Sequence, residues 1–433
     1  MKRLIDSLKH IWKVEELRKR LLITFSLILV FRIGSFIILP GVDSSRLSTE
    51  ADAGTIEGLL GLLSGGGFTH ASFMALGIMP YISASIIMQL LGMAVPAVQK
   101  MQQEGESGQK QINNYTRILT IIICAVQAPG YLSLYVAGKG AIPAEFMNSP
   151  LWWIQSVLVL VAGAMMAVWL GERITDRGVG NGISLLITVG IIARLPASFV
   201  AETAQRSALV VILEVFAFVV IVMATVLIVQ GVRKIPMNYA KRVASAKGEM
   251  VNAQGARSYI PIKVNASGVM PIIFAQAIMT VPVMFIQKQF GIFGFWYNLV
   301  LALLIIVFTY FYTALMINPK KMADDLKRNG GFIPGIRPGN ETADYIDALV
   351  SKITLPGSIF LALIAIIPAI AVKFGIGDGF ALFFGGTSLL ILVGVILDTL
   401  QQIESYLLNR HYDGLMEGTK VRGRRTQGEL SGM

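Results

Sequence analysis

Side chains able to do covalent, metal or acid–base chemistry are few in this chain and far apart. Its 433 residues hold one cysteine, Cys124, and three histidines, His10, His70 and His411. Cys124 lies inside an apolar run, where a thiol behaves as a small hydrophobe. The histidines are too scattered to hold a metal together. No HExxH, GxSxG or Walker-type glycine motif occurs. The expectation is a protein with no enzymatic reaction, no cofactor and no metal. Ionisable side chains within apolar stretches include Arg32, Glu214, Asp398 and Glu404. Glu214 falls near one end of its stretch, and Asp398 and Glu404 near an end of theirs. Only Arg32 is deep, and the sequence assigns it no partner: it snorkels or faces a watery cavity. A carrier coupled to ions or protons would need acidic groups at mid-membrane depth, and none is placed there.

The elements that hold these residues are membrane spans. The chain is 54% hydrophobic and 15% charged, against about 25% charged in a soluble domain. A helix crossing a bilayer core of roughly 30 Å needs about 20 apolar residues. Hydropathy places ten such spans, near 21–39, 71–94, 116–137, 151–170, 183–203, 208–230, 267–287, 298–317, 353–372 and 381–406. The first lacks a cleavage site and is expected to stay in the mature chain. With the amino terminus inside, thirty of the 37 Lys and Arg fall on the inner side, counting Arg117, and six on the outer side, counting Arg194. That bias places both termini in the cytoplasm and accounts for the net charge of +11 without nucleic acid. Residues 1–20 form an amphipathic cytoplasmic segment and 407–433 a basic tail. Two inner loops, 231–266 and 318–352, are far longer than connectors of about 4–6 residues, and loops of that size usually carry function. A merely solvated, orienting basic face is the alternative.

An internal repeat organises the spans. Gly77–Met88 reads GIMPYISASIIM and Gly268–Met279 reads GVMPIIFAQAIM, seven of twelve positions identical at an offset of 191. SLLITVG at Ser184–Gly190 recurs as SLLILVG at Ser388–Gly394, at an offset of 204. Duplication therefore pairs 21–206 with 207–406. Five spans per half is odd, so the halves must be inverted about an axis in the membrane plane. The fold class is an all-α polytopic membrane protein of two inverted five-helix halves around a central pore. Secondary transporters of small solutes share that plan and remain the alternative at this point. At mid-depth the repeat pairs Ile82 with Ile273 and Ile187 with Ile391; mates near a two-fold axis approach each other. Between spans 1 and 2, Thr55–His70 has an apolar core too short to cross, flanked by Gly65, Gly66 and Gly67. It is either a re-entrant segment with a glycine hinge or an amphipathic helix on the outer surface.

These stretches resemble the SecY family of protein-translocation channels over essentially the whole chain. The likeness is carried by FRIGSFI, ALGIMPYISASIIMQLL, EGESGQ, TDRGVGNGIS, NYAKR, PIKVNASGVMP, FIPGIRPG and GGTSLLI. The resemblance implies an hourglass pore with an apolar waist at Ile78, Ile82, Ile183, Ile187, Ile273 and Ile391. It makes 55–70 a re-entrant plug helix, with Leu59, Leu60, Leu62, Leu63, Gly65, Gly66 and Gly67 its core. Spans 2 and 7 would border a lateral gate near Ser83, Gln89 and Val281, the last standing where the family often has a bulky aromatic. The long loops would dock a ribosome or the SecA motor through Arg337, supported by Lys241, Arg242 and Arg257. Further implied partners are SecE-like and SecG-like small subunits, signal-bearing secretory and membrane protein substrates, and phospholipid. The implied location is the bacterial plasma membrane.

Overall fold

The computed structural model describes residues 14–47, 56–239, 243–244, 250–251, 258–285 and 291–418. Each predicted span overlaps a helix, though residues 35–39 and 71–78, drawn within spans, are turns and extended chain. These are α1 (Glu15–Gly34), α3 (Met79–Ala94), α5 (Glu106–Gly130), α6 (Pro150–Arg177), α7 (Gly182–Gln205), α8 (Ala208–Val229), α9 (Met270–Phe285), α10 (Phe295–Met316), α12 (Asn340–Lys373) and α13 (Gly386–Gly418). Shorter helices are α2 (Ile56–Leu63), α4 (Pro96–Gln103) and α11 (Pro319–Arg328). Among the described residues seven helices are long and apolar enough to cross a membrane unaided, and the α3–α4 pair, bent by 103°, makes an eighth. The 16 residues of α9 and the charged ends of α1 leave those two short of that standard. A 16-residue helix spans about 24 Å.

The duplication is written into the backbone. Gly77 and Gly268 both adopt the left-handed conformation, at φ +54° and +62°. Each is followed two residues later by a 16-residue helix opening on Met-Pro. A glycine admits that turn without the Cβ clash, and proline is at ease in the first turn because its missing N–H would lack a partner anyway. The second repeat behaves alike: α7 opens at Gly182 and α13 at Gly386. Packing repeats as well. α3 lies on α5 as α9 lies on α10, α5 on α6 as α10 on α12, and α6 on α7 as α12 on α13. The mates α7 and α13 pack against each other, as elements beside a two-fold axis must. Outward side chains of α8, including Leu209, Ile212 and Phe216, are exposed, which suits a lipid-facing helix.

Three features depart from the sequence expectation. The two long inner segments are not loops throughout: β1 (Val232–Tyr239) pairs with β4 (Ser258–Lys263), and β5 (Gly331–Phe332) adds to β1 in a sheet of order β4-β1-β5. A separate two-residue pair joins β2 (Val243–Ala244) to β3 (Met250–Val251). The alternation in VRKIPMNY is short and weak beside the apolar runs of the spans. The predicted loop 318–352 also contains α11 and the first turns of α12, which begins at Asn340 rather than near 353. Charged residues there let the helix continue beyond the apolar zone that hydropathy detects. For the same reason α13 runs on to Gly418, into the segment assigned to the basic tail. Lys241, Arg242 and Arg257, residues 1–13 and the tail beyond 418 lie outside the described residues.

Candidate functional site

The six isoleucines singled out above converge from four helices. Ile78 and Ile82 come from the start of α3, Ile183 and Ile187 from α7, Ile273 from α9 and Ile391 from α13. All six belong to one apolar cluster. Ile78, Ile187 and Ile391 are among its buried members, and Ile82, Ile183 and Ile273 pack against the cluster partly exposed. Although Ile187 stands near the start of its predicted span, 183–203, its side chain joins the others. Isoleucine's β-branching makes χ1 stiff, so such a cluster keeps its shape without polar atoms.

Leu62 and Leu63 of α2 belong to the same cluster. Residues 56–70 therefore do not lie on the outer surface: α2 packs on α7, and Leu62, Ser64 and Gly65 to Thr69 are all buried. Leu59 falls on the same short helix, and Leu60 packs against a second cluster. The glycines serve close approach more than a hinge. Gly65 and Gly66 have φ of +64° and +97°. A Cβ on Gly65 would sit 2.7 Å from the backbone of Gly190 and 2.7 Å from a guanidinium nitrogen of Arg32. Phe68 is held between Tyr131 and Tyr135, with ring centroids 4.7 and 4.8 Å away. The two tyrosine hydroxyls donate to the carbonyls of Phe68 and Thr69 at 2.8 and 3.3 Å. On the other side of α2, Leu62 and Leu63 border a narrow crevice of about 30 Å³ that Gln276, Asn298 and Thr387 also line.

Arg32, left without a partner by the sequence, has two. Its Nη1 donates to the Gly65 carbonyl at 2.9 Å, and its guanidinium carbon stands 5.2 Å from the Phe36 ring centroid. Arg194, on α7, donates to Thr69 Oγ1 at 2.6 Å. Arg194 stands at the middle of the predicted span 183–203, so Arg32 is not the one deep arginine, as the sequence reading had it.

A seam separates α3 from α9 and α10. Ile86, Phe274 and Tyr312 close it from inside, with Ile82, Met270, Ile273 and Phe308 around them. Gln89 reaches across, accepting a hydrogen bond from Tyr312 at 3.1 Å. Ser83 does not cross: its hydroxyl donates back to the Met79 carbonyl at 3.2 Å. Val281 is on α9, which borders the seam. Tyr312 was invisible in the aromatic run FTYFYT, where nothing separates a bridging tyrosine from a lipid-facing one. On the opposite edge of α9, Thr387 of α13 donates to Gln276 at 3.0 Å.

At the basic end, β1 pairs with both β4 and β5, so the two long inner segments share one sheet, with Asn238 opposite Phe332. Ile235, Met237, Ile262, Leu326, Ile333 and Ile346 form its core. Arg337 leaves this platform with its side chain 88% exposed and Glu341 at 3.8 Å. Gly335 and Gly339 turn the chain on either side, at φ +85° and +112°. Thr342 Oγ1 donates to the Arg337 carbonyl at 2.8 Å, which fixes the backbone from which the guanidinium projects.

A gated passage through a helical membrane protein is the class that this arrangement defines. The SecY family model matches residues 72–400, and the chain belongs to that family. The protein translocase subunit SecY of Thermus thermophilus is 40% identical over 443 residues, covering 96% of this chain and 99% of the relative. Among solved structures, one described as a protein-conducting channel superposes with a TM-score of 0.62 at 17% identity, over 93% of this chain and 95% of that one. The Sec61 chain of a canine ribosome–channel complex from the endoplasmic reticulum gives 0.59 at 17% identity, with the same coverage.

Proposed function

We propose that this chain is the protein-conducting subunit of a Sec translocon, passing unfolded secretory proteins across the membrane and releasing apolar segments sideways into lipid. The observation that carries this reading is that six isoleucines from four helices share one apolar cluster with Leu62 and Leu63 of α2. A passage for chains of any sequence must not bind them, so charges at its waist would stall transport. A narrow apolar waist instead blocks ions by dewetting. Residues 55–70 act as the plug, filling the space above the ring at rest.

The two halves, 21–206 and 207–406, part at the seam of α3 with α9 and α10, which serves as the lateral gate. Segments leave there by partition: an Asp, Lys or Arg at the bilayer centre opposes entry by about 2.5–3.5 kcal/mol, whereas Leu or Ile favours it. The sheet that carries Arg337 docks the driving partner, a SecA motor or a ribosome, with Lys241, Arg242 and Arg257 as electrostatic support. Arginine suits that role because its planar fork engages carboxylate or phosphate with two bonds. SecE-like and SecG-like subunits complete the complex against lipid. The membrane is the bacterial plasma membrane, with both termini in the cytoplasm, and the chain itself hydrolyses nothing. The secondary-transporter reading lacks an acidic midplane group among the described residues.

Reconstitution decides between the readings. Vesicles carrying the complex purified around this chain should shield a secretory precursor from added protease when motor and ATP are supplied. Uptake of a small solute with no protected precursor would overturn the channel reading.

A further inference from the structure

Two arginines from different helices converge on one turn. Arg32 donates directly to the Gly65 carbonyl at 2.9 Å. Arg194 donates to Thr69 Oγ1 at 2.6 Å, and that hydroxyl in turn donates to the Gly66 carbonyl at 2.9 Å. Two successive carbonyls just past the end of α2 are thus covered, one by a guanidinium and one through a hydroxyl relay. Helix C-termini present carbonyls with no intrahelical partner and the negative end of the dipole, so cations are favoured there. The glycines make room. A Cβ on Gly65 would stand 2.7 Å from Arg32 Nη1, and one on Gly61 would stand 3.0 Å from Arg194 Nη1. Thr69 is wholly buried.

Among the described residues, neither arginine forms an ion pair with a carboxylate. A charge away from water is costly unless it is hydrogen-bonded. While the passage is dry, the plug turn supplies the bonds these guanidiniums need. Once it is wet, water supplies them instead. We infer that Arg32 and Arg194 form a latch on the plug turn, one that holds while the passage is dry and yields when it hydrates. This rests on the plug assignment above and adds to it the residues that set the opening threshold. They are positioning residues: they touch the plug, and no substrate contact is assigned to them.

The test uses the intact complex in planar bilayers, with Arg32→Met, Arg194→Met, Arg32→Lys, Thr69→Val and the Arg194→Met/Thr69→Val double variant. Resting ion conductance, export of a precursor with a weakened signal and a thermal melt are measured on each. Losing a hydrogen bond to a charged group should raise the resting open fraction about 10- to 100-fold. Arg32→Lys, which keeps one charged donor, should recover part of the seal. Thr69→Val breaks the relay without removing charge, so it should leak too, and the double variant should leak no more than Arg194→Met alone. A latch is contradicted if the variants melt lower yet keep a wild-type seal and stringency, or if the Arg194 and Thr69 effects simply add. Export by the wild-type complex tests the channel reading separately, so failure of the latch and failure of the channel are told apart.

Discussion

Tyr312 donates a hydrogen bond to Gln89 at 3.1 Å, joining two helices whose residues lie 223 positions apart. It is a polar tie across a seam otherwise closed by apolar side chains. Tyr312→Phe removes the tie and keeps the ring. A neutral hydrogen bond contributes about 0.5–1.5 kcal/mol, so the gate should open roughly two- to ten-fold more readily. Precursors with weakened signals should be exported better by this variant. Unchanged or stricter signal selection would show that the bond does not hold the gate.

The ring makes a prediction of the opposite chemistry. Ile273→Asn and Ile391→Asn put water-binding groups into an apolar cluster. A dewetted waist should then leak, with higher resting conductance in planar bilayers. Were these positions only helix packing, an unpaired polar group would cost about 1–3 kcal/mol of stability and gain no function. A tight channel with a lowered melt in both variants would remove the two residues from the pore.

Arg337→Glu should leave folding intact. Its pair with Glu341 spans 3.8 Å between exposed side chains, and surface pairs contribute about 0–1 kcal/mol. Export driven by the motor should nevertheless fall sharply, because the reversed charge faces the docking partner. Normal export at an unchanged melt would end the docking role of this residue.

Gly268 offers a clean measure of backbone strain. It sits at φ +62°, and a Cβ added there would meet nothing within 4 Å. Gly268→Ala should therefore cost only the left-handed penalty of about 1–2 kcal/mol. Gly77→Ala, at φ +54° with ordinary contacts, should cost a similar amount. Thermal melts of the two variants should agree; a large difference would break the equivalence of the repeats.

Topology is checked with single cysteines after replacement of Cys124. Asn148 follows the third span and Phe374 the ninth, both on the predicted outer side, and Glu104 and Lys320 lie on the inner side. The first pair should label in intact cells and the second only after permeabilisation. An outer position that needs permeabilisation would break the layout at that span.

Where the sequence alone was sufficient, the information was local or repeated. Span positions follow from runs of apolar residues, because a helix in lipid must satisfy its own backbone. The pairing of Ile82 with Ile273 and Ile187 with Ile391 followed from self-similarity, and the matching turns at Gly77 and Gly268 reflect the same duplication. What only the tertiary structure decided is who meets whom across the bundle. Arg32 finds a carbonyl 33 residues away, and Gln89 finds one tyrosine within an aromatic run. Ser83, equally near the seam by position, turns back on its own helix. Such outcomes depend on helix rotation and crossing, which differ by a few ångströms between arrangements that bury the same apolar surface. The β4-β1-β5 sheet was hidden for a related reason. Its pairing of β1 with β5 joins segments from two separate inner loops, and no local pattern announces a partner brought close by the packing of the spans between them.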